Sequence, residues 1–427
     1  MELERHEIHR RLRERDFCIE EKELVNMITD AFRITRRLTN NDDLFSYIPD
    51  NANHNMNPML WEYGHFLGFW ENLIIKNLNG DLDILNNYTF IFNPDIYDSF
   101  KLSKSNRYKY YSKLLNLETL KISMSKIEEL VLSVIKSNYC KENIYLAYLG
   151  MAHQHMHNES FIFSLNQLGN DTVNFSNNYD YSEEAEPLEW VDIPGGPFHQ
   201  GAPSPCDYFF FDNESPRFET HIDDFTVSKN MITNHQFIWF INCGGYTKQE
   251  LYTPEGWAFI QNNNLKMPKH FSYENDQFYE TLFGQKIEVR LNHPAMVTWY
   301  EADAYCKMFG YKMLAEREWE YLADSNARAT FDYTEAVSVK LDKNVNRHGV
   351  KGLYGNYWEW CEDPIYPYDG FVIDPVYREM SYPFFGFKKI CRGGAWCVPK
   401  FLATRTYRNA QLPDCYYQFI SFRVKRN

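Results

Sequence analysis

The chain has 427 residues, of which 44% are hydrophobic and 17% aromatic, so it exceeds one ordinary hydrophobic core and is not a disordered protein. Its formal net charge of −14, without a long basic run, argues against nucleic acid or an anionic membrane surface as a partner. The nine cysteines are scattered without a CxxC pair, which argues against a zinc–thiolate site and indicates reduced thiols.

The N-terminal sequence, Met1-Glu2-Leu3-Glu4-Arg5-His6, lacks the apolar core of a signal peptide. No apolar stretch of the chain reaches the roughly 20 residues that a membrane-spanning helix needs. We therefore expect a soluble, cytoplasmic protein without a membrane partner.

Four segments with helical periodicity occupy the first 170 residues. They are residues 20–37, 58–78, 123–137 and 143–168. Several long helices with irregular connections predict a helical bundle for residues 1–170, and the interior of such a bundle is a common place for a metal site built from facing helices.

Histidines are concentrated in the second and fourth of these segments. His153 and His157 are four residues apart, so on a helix both imidazoles project from one face, a spacing that suits two ligands of one transition metal. His155 falls on another face and is a weaker candidate, whereas His65 supplies a third imidazole from a different helix. Such a set leaves coordination positions open, as a redox or Lewis-acid metal centre requires. The alternative is that His153 and His157 are ordinary residues at a partly exposed helix face.

A change in composition follows the last helical segment. Residues 171–188 are polar and rich in turn formers, which indicates a linker. From residue 189 to 427 glycine, proline and aromatic residues dominate, and helical periodicity is limited to residues 300–309 and 316–323. We therefore predict an α+β protein of two domains, with boundaries at 1–170, 171–188 and 189–427.

The second domain resembles the formylglycine-generating-enzyme/sulfatase-modifying module, which has a C-type-lectin-like fold. The segments that carry the resemblance are Ile193-Pro194-Gly195-Gly196, Val297-Thr298-Trp299-Tyr300-Glu301-Ala302, Leu314-Ala315-Glu316-Arg317-Glu318-Trp319-Glu320, Gly355-Asn356-Tyr357-Trp358-Glu359-Trp360, Arg392-Gly393-Gly394-Ala395-Trp396 and Phe422-Arg423. Their shared order over more than 200 residues makes the resemblance specific.

The first domain resembles the DinB-like four-helix bundle, and the pair of domains resembles the sulfoxide synthases of ergothioneine and ovothiol biosynthesis and the related selenoneine synthases. These are non-heme iron enzymes that use O2 to join sulfur or selenium to an imidazole carbon of histidine or hercynine. Their W-x-x-G-H and H-x-x-x-H-x-E segments match Trp61 to His65 and His153 to Glu159 here. The resemblance therefore implies Fe(II) held by His65, His153 and His157, with O2 as co-substrate and His155 as a bystander. Glu159 would orient one ligand, or would be a solvated helix residue.

The resemblance also implies substrate-binding residues near the C-terminus. Asn409 matches an asparagine that contacts the amino-acid end of hercynine, with a turn residue as the alternative. Gln411 and Cys415 stand where the glutamylcysteine-using branch has an acid and an arginine, and an amide and a thiol cannot form those salt bridges. Met156 stands where that branch has glutamine. These departures disfavour γ-glutamylcysteine as the donor and, with residues 57–65 and 97–100, are most similar to the selenoneine-synthase-like branch.

A catalytic acid, often a tyrosine, is also implied. Tyr366 and Tyr368 follow the Trp358-Glu359-Trp360 motif, and we rank Tyr368 first. The alternative for either residue is ordinary aromatic packing, because the chain contains 31 tyrosines.

Other functions remain open at this point. A formylglycine-generating oxidase would need a second cysteine shortly after Cys397, where Phe401, Leu402 and Ala403 stand instead. The remaining alternatives are the same iron chemistry on another imidazole or donor, a non-catalytic member of the family, and a hydrolytic zinc enzyme with the same ligands.

Overall fold

The computed structural model describes residues 19–46, 56–78, 88–99, 101, 106–107, 110–170, 184–203, 208–323, 331–374 and 376–426. The chain forms two compact units. The first contains Met1–Ser164, Ser204–Phe209 and Val372–Tyr382, and the second contains Leu165–Pro203, Phe210–Phe371 and Pro383–Asn427. The first unit thus includes short segments that the predicted boundaries place in the second domain. Most of the predicted linker, residues 171–183, lies outside the described residues.

The described α-helices of the first unit lie within residues 1–170, as predicted. They are α1 (Glu21–Leu38), α2 (Met59–Phe69), the single turn α3 (Pro94–Tyr97), α4 (Leu117–Ser137) and α5 (Lys141–Gln167), whose last residues enter the second unit. Helix α1 is amphipathic and buries Leu24, Ile28, Ala31 and Phe32 at helical spacing. Helices α1 and α2 both pack against α4.

Helix α2 is buried on every side, from Met59 to Phe69. A helix that is apolar around most of its circumference belongs to a core, so Glu62 and His65 within it are withdrawn from water. Buried polar groups of this kind need partners inside the protein. This requirement makes them candidates for function.

A π-helix, Trp70–Ile75, continues α2 without a break. Such segments are rare and often occur at functional sites. Glu71 within it is fully buried, and its carboxylate accepts hydrogen bonds from the backbone nitrogens of Ile91 at 2.9 Å and Phe92 at 2.7 Å and from the Tyr88 hydroxyl at 3.0 Å. These bonds anchor the segment that leads into α3.

The second unit contains four sheets among its described residues. Its strands are β1 (Trp190–Ile193), β2 (Gly196–Gln200), β3 (Phe218–Ile222), β4 (Phe225–Ser228), β5 (Phe271–Glu274), β6 (Gln277–Leu282), β7 (Gln285–Glu288), β8 (Tyr311–Met313), β9 (Trp358–Pro364), β10 (Lys389–Arg392), β11 (Asn409–Gln411), β12 (Ile420–Phe422) and β13 (Val424–Arg426). They pair in the orders β1-β4-β13-β8, β11-β10-β9-β12, β2-β3 and β5-β6-β7. All pairs are antiparallel except β9 with β12.

Short capped helices accompany these sheets. They are α6 (Asn234–Asn242), α7 (Pro254–Asn262), α8 (Trp299–Phe309) and α9 (Glu316–Leu322). Helices α8 and α9 confirm the two helical segments predicted there. At the start of α8, Glu301 accepts from the backbone nitrogen of Thr298 at 2.8 Å, and Thr298 caps the helix in return. Helices α6 and α7 were not predicted.

Buried ion pairs join residues of these motif segments in the second unit to each other and to Arg408. Arg392 pairs with Glu320 at 2.7 Å, Arg408 with Glu316 at 2.6 Å, and Arg423 with Glu359 at 3.0 Å, and each of these side chains is at most 9% exposed. Removing one partner of such a pair costs about 3–5 kcal/mol, because the other charge stays buried. These motif residues therefore maintain the fold. Across the described part of the chain, no helix has the length and apolar character needed to cross a membrane.

Candidate metal centre

Three histidines converge inside the first unit, as the sequence predicted. His65 comes from α2, His153 and His157 come from α5, and one ring nitrogen of each lies within 4.8 Å of those of the other two. The Nε2 atoms of His153 and His157 are 3.1 Å apart. His65 and His153 are buried, and His157 is largely so. The ordinary surface position considered above is therefore excluded for these residues.

The arrangement fits a metal ion. Two ligand nitrogens at about 2.1 Å from one ion and at right angles to each other would be separated by about 3 Å, close to the observed 3.1 Å. Three imidazoles suit iron, zinc, copper or nickel better than magnesium or calcium, and they leave further coordination positions for other ligands. His155 is buried on the same helix but is not part of this group.

Burial keeps His65 and His153 neutral. It lowers the pKa of His65 to about 3 and the pKa of His153 well below its ordinary value. A neutral imidazole presents a lone pair to a metal without first losing a proton. At neutral pH these two residues are therefore ready to bind an ion.

The W-x-x-G-H segment has a specific structural role. Trp61 and His65 lie one turn apart on α2 and bind two consecutive carbonyl groups of α3. The indole nitrogen of Trp61 donates to the Ile96 carbonyl at 2.7 Å, and Nδ1 of His65 donates to the Tyr97 carbonyl. Because Nδ1 carries the proton in that bond, Nε2 of His65 is left as the ligand atom.

Gly64 makes this arrangement possible. A Cβ atom at position 64 would overlap the ring of Tyr97, so only glycine lets that ring lie against α2. The Tyr97 hydroxyl in turn accepts a hydrogen bond from the backbone nitrogen of Leu115 at 2.7 Å. Tyr97 is therefore fixed at both ends, and its carbonyl is held in place for His65.

Glu62 orients the third ligand. Its Oε1 accepts a hydrogen bond from Nδ1 of His157 at 2.6 Å, and its Oε2 accepts from the Asn57 amide at 2.5 Å. Burial alone would raise the pKa of Glu62, but His157 and the hydrogen bonds from His157, Ser160 and Asn57 lower it to about 2. A carboxylate on the far nitrogen of a ligand histidine fixes its orientation and makes it a stronger ligand.

The sequence offered Glu159 for this orienting role, with a solvated helix residue as the alternative, and the contribution of Glu62 was missed. Glu159 is 7% exposed, so it is not the solvated helix residue of the alternative interpretation. A signal for Glu62 was available in the sequence, since an acid surrounded by apolar residues on a buried helix must have a partner.

Tyr377 is the second residue that the sequence interpretation missed. It belongs to the segment Val372–Tyr382 of the first unit, and its ring centroid lies 5.4 Å from that of His153 and 4.9 Å from that of Phe69. Phe69 itself stacks on His153 at 3.7 Å. No local pattern distinguishes Tyr377 from the other tyrosines, because its position depends on a long-range contact.

A cavity of about 380 Å³ opens beside these residues in the first unit. Its walls include His65, Phe69, Asn72, Tyr97, Tyr377 and Arg378. One candidate metal ligand and the newly found tyrosine thus face the same space. A cavity of this size suits a small organic molecule.

Tyr368, the predicted catalytic acid, belongs to the second unit. Its hydroxyl accepts a hydrogen bond from the Gln200 amide at 3.1 Å, and the Arg408 guanidinium lies over its ring at 4.1 Å. Burial raises the pKa of Tyr368 well above its ordinary value. These contacts agree with the packing alternative, and a catalytic role for Tyr368 remains a prediction.

The predicted substrate residues are divided between the two units. Met156 is half-buried on α5, next to His157. Asn409 and Gln411 lie on β11, where both are partly exposed, and the Asn409 side-chain oxygen accepts from the backbone nitrogen of Ala410 at 2.8 Å. Cys415 is buried, and burial raises the pKa of its thiol to about 12. Their roles in binding remain predictions.

Comparison with known proteins extends this description. Residues 178–427 match the family described as the sulfatase-modifying factor enzyme 1-like domain. The chain is 25% identical to the hercynine oxygenase of Mycolicibacterium smegmatis over 411 residues, which cover 89% of this chain and 92% of that protein. It is 24% identical to the hercynine oxygenase of Mycolicibacterium thermoresistibile over 422 residues, 92% of each chain.

A third relative matches less of the chain. The formylglycine-generating enzyme of Thermomonospora curvata is 27% identical over 218 residues, which cover 40% of this chain and 70% of that protein. The mixed α+β character and the module predicted for the C-terminal residues are confirmed, and the DinB-like identity of the helical unit remains a prediction. Since the family match spans more than half of its residues, the chain belongs to the sulfatase-modifying factor enzyme 1-like family.

Proposed function

We propose that this protein is an Fe(II)- and O2-dependent enzyme that forms a C–S or C–Se bond on the imidazole ring of histidine or hercynine. The observation that carries the proposal is the buried group of His65, His153 and His157, with a cavity beside it. The relatives named hercynine oxygenase support it, because they match almost the whole chain and their name describes oxygen chemistry on hercynine.

Iron bound to these nitrogens would supply the redox chemistry that O2 requires and a positive centre that attracts a thiolate or selenolate. Zinc fits the same ligands but has no redox chemistry, so the hydrolytic zinc enzyme remains the weaker candidate. The three protein ligands leave room for small molecules, as a reaction of two substrates with O2 needs.

Side chains around the histidines prepare the site. Glu62 and the Tyr97 carbonyl accept hydrogen bonds from Nδ1 of His157 and His65, so Nε2 is the atom that each of these imidazoles can offer to a metal. Phe69 covers one face of His153 and restricts the access of water to it. The site is therefore organised by contacts within the protein itself, and preorganisation of this kind avoids rearrangement during reaction.

Tyr377 is the best-placed proton donor. Its ring lies against His153 and lines the cavity, and a phenol hydroxyl can both donate and accept a hydrogen bond. We therefore propose Tyr377, in preference to Tyr368, as the residue that transfers a proton to or from the reacting molecules.

For the substrates, we propose that Asn409 contacts the amino-acid end of hercynine, that Gln411 contacts the sulfur or selenium donor, and that Met156 is a further substrate-binding residue. The neutral Gln411 amide and the buried, protonated Cys415 thiol offer no charges for the carboxylate and ammonium groups of γ-glutamylcysteine. A donor with fewer charges, such as a selenosugar of the selenoneine-type reaction, suits these residues better.

The test combines metal binding with product analysis. Protein purified without oxygen should bind about one equivalent of Fe(II), and His153→Ala should abolish binding, whereas the control His155→Gln should retain it. Mass spectrometry would then follow cysteine, glutamylcysteine and a selenosugar, each with histidine or hercynine, in the presence of O2. Fe(II) binding that survives His153→Ala would overturn the metal assignment, and no product from any pair would overturn the enzyme assignment.

A further inference from the structure

Arg107 is a buried cation of the first unit, only 8% exposed. Its Nη1 donates to the side-chain oxygen of Asn57 at 2.6 Å, and its guanidinium lies 3.8 Å from the ring of Trp61. Burying a positive charge is costly unless partners compensate for it. The contacts of Arg107 lead by two routes to the candidate metal ligands.

The first route is a chain of hydrogen bonds. Asn57 accepts from Arg107 through its oxygen and donates to Glu62 through its amide nitrogen at 2.5 Å, and Glu62 accepts from His157 at 2.6 Å. The order of charges fixes the direction of the Asn57 amide, because the oxygen must face the cation and the NH2 group must face the anion. Bonds to charged groups are shorter and stronger than neutral ones, as these distances indicate.

The second route is a pair of ring contacts. The Trp61 ring stacks on His65 with centroids 4.6 Å apart and an angle of 12° between the planes, and the same ring is in contact with Arg107. A guanidinium over an indole is a favourable cation–π contact, stronger where water is excluded. The Arg107 guanidinium therefore supports both Trp61, which stacks on His65, and Asn57. The Asn57 amide in turn donates to Glu62, the hydrogen-bond partner of His157.

We infer that Arg107 is a positioning residue, which holds the His65 and His157 side chains in the geometry for binding iron and keeps bound iron in its ferrous form. The inference rests on the proposed function, since it presumes a metal at the three histidines. Glu62 strengthens His157 as a ligand and favours the more highly charged ferric ion, whereas a cation behind it acts in the opposite direction. Arg107 thereby reduces the preference for ferric iron that Glu62 creates, while Glu62 keeps its hydrogen bond to His157.

Three variants separate position from charge. Arg107→Met removes both, Arg107→Lys keeps the charge but loses the planar fork, and Asn57→Ala interrupts the hydrogen-bond chain while the charge stays. The matched control is Arg36→Met, which removes a cation of the same unit that pairs with Glu128. Co(II) affinity and the visible spectrum of bound Co(II) report position, the midpoint potential of bound iron reports charge, and circular dichroism reports folding.

We expect Arg107→Met to weaken Co(II) binding by about 10–100-fold and to lower the midpoint potential. Arg107→Lys and Asn57→Ala should also weaken binding, the lysine variant should keep a potential near that of the wild type, and Arg36→Met should change neither quantity. A wild-type protein that binds no Co(II) would refute the proposed function itself. Wild-type binding that is unchanged in Arg107→Lys and Asn57→Ala, or a potential unchanged in a folded Arg107→Met, would refute the inference alone.

Discussion

At the scale of single residues, the candidate site depends on atoms one step removed from the ligands. The Nδ1 proton of His157 is held by Glu62 and that of His65 by the Tyr97 carbonyl. Such bonds determine which nitrogen faces a metal and how strongly it binds. The H-x-x-x-H pair predicts a ligand set but does not reveal these partners, because they come from other parts of the chain.

Replacing Glu62 tests this support directly. We expect Glu62→Gln to weaken Co(II) binding by about 10–100-fold, since the amide is uncharged and no longer strengthens His157 as a ligand. Glu159→Gln is the matched control, a buried acid two residues after His157. Titration of the metal-free protein with Co(II) measures both. A larger loss in the control than in Glu62→Gln would return the orienting role to Glu159.

We expect replacement of the two candidate tyrosines to affect different quantities, the reaction rate for Tyr377 and the stability for Tyr368. We expect Tyr377→Phe to lower the rate of product formation by about 100-fold or more, as loss of a proton donor does, without changing Co(II) affinity. Tyr368→Phe should instead cost about 1 kcal/mol of stability, because the Gln200 amide loses its acceptor. Steady-state rates and denaturant unfolding separate the two effects. A rate loss confined to Tyr368→Phe would restore the original assignment.

At the scale of elements, the single turn α3 determines the orientation of one candidate ligand. It offers the Ile96 and Tyr97 carbonyls to Trp61 and His65, and the segment before it is anchored by Glu71 of the π-helix. Helices α2 and α5 supply the imidazoles, whereas α3 fixes the orientation of one of them. The short helix thus contributes more to the site than its length indicates.

Gly64 is the point where this contact is most sensitive. Gly64→Ala should displace Tyr97 and α3, so we expect at least a tenfold loss of Co(II) affinity, even though alanine favours a helix by up to about 1 kcal/mol over glycine. Gly68→Ala is the control one turn later, where the new Cβ would lie 3.3 Å from Phe92 Cβ and needs only a small adjustment. Equal metal affinity in the two variants would contradict this role of α3.

The predicted and observed helices agree where the periodic pattern of apolar residues extends over many residues. Segments 20–37, 123–137 and 143–168 correspond to α1, α4 and α5. Their apolar residues recur at helical spacing over enough turns for a helix to be predicted from the sequence. The π-helix was not predicted, since a widened turn leaves the pattern of apolar residues almost unchanged. The contacts of Glu62 and Tyr377 needed the tertiary structure, because their partners are distant in sequence or carry no motif.

At the scale of the whole molecule, the second unit buries several charged side chains in its core. Glu316, Glu320 and Glu359 each face a buried arginine, so these acids are compensated inside the fold. Asp342 is an exception in that unit: its Oδ2 is buried and has no hydrogen-bond partner among the described residues. Burial raises the pKa of Asp342 to about 6.

This raised pKa gives stability a pH dependence. Between pH about 4 and 6 the folded protein holds a proton on Asp342 that the unfolded chain releases, so this group makes folding less favourable as pH rises through that range. We expect the stability of Asp342→Asn, relative to the wild type, to improve by up to about 3 kcal/mol from pH 4 to pH 7. Denaturant unfolding of both proteins at several pH values measures the difference, and a constant difference would contradict the assignment.

The segment Val372–Tyr382 belongs to the first unit but is synthesised long after the helices of that unit. All three histidines leave the ribosome early, and Tyr377 follows 220 residues after His157. At 5–20 residues per second that interval lasts about 10–45 s. The nascent chain therefore contains all three candidate ligands for this interval before Tyr377, which lines the same cavity as His65, has been synthesised.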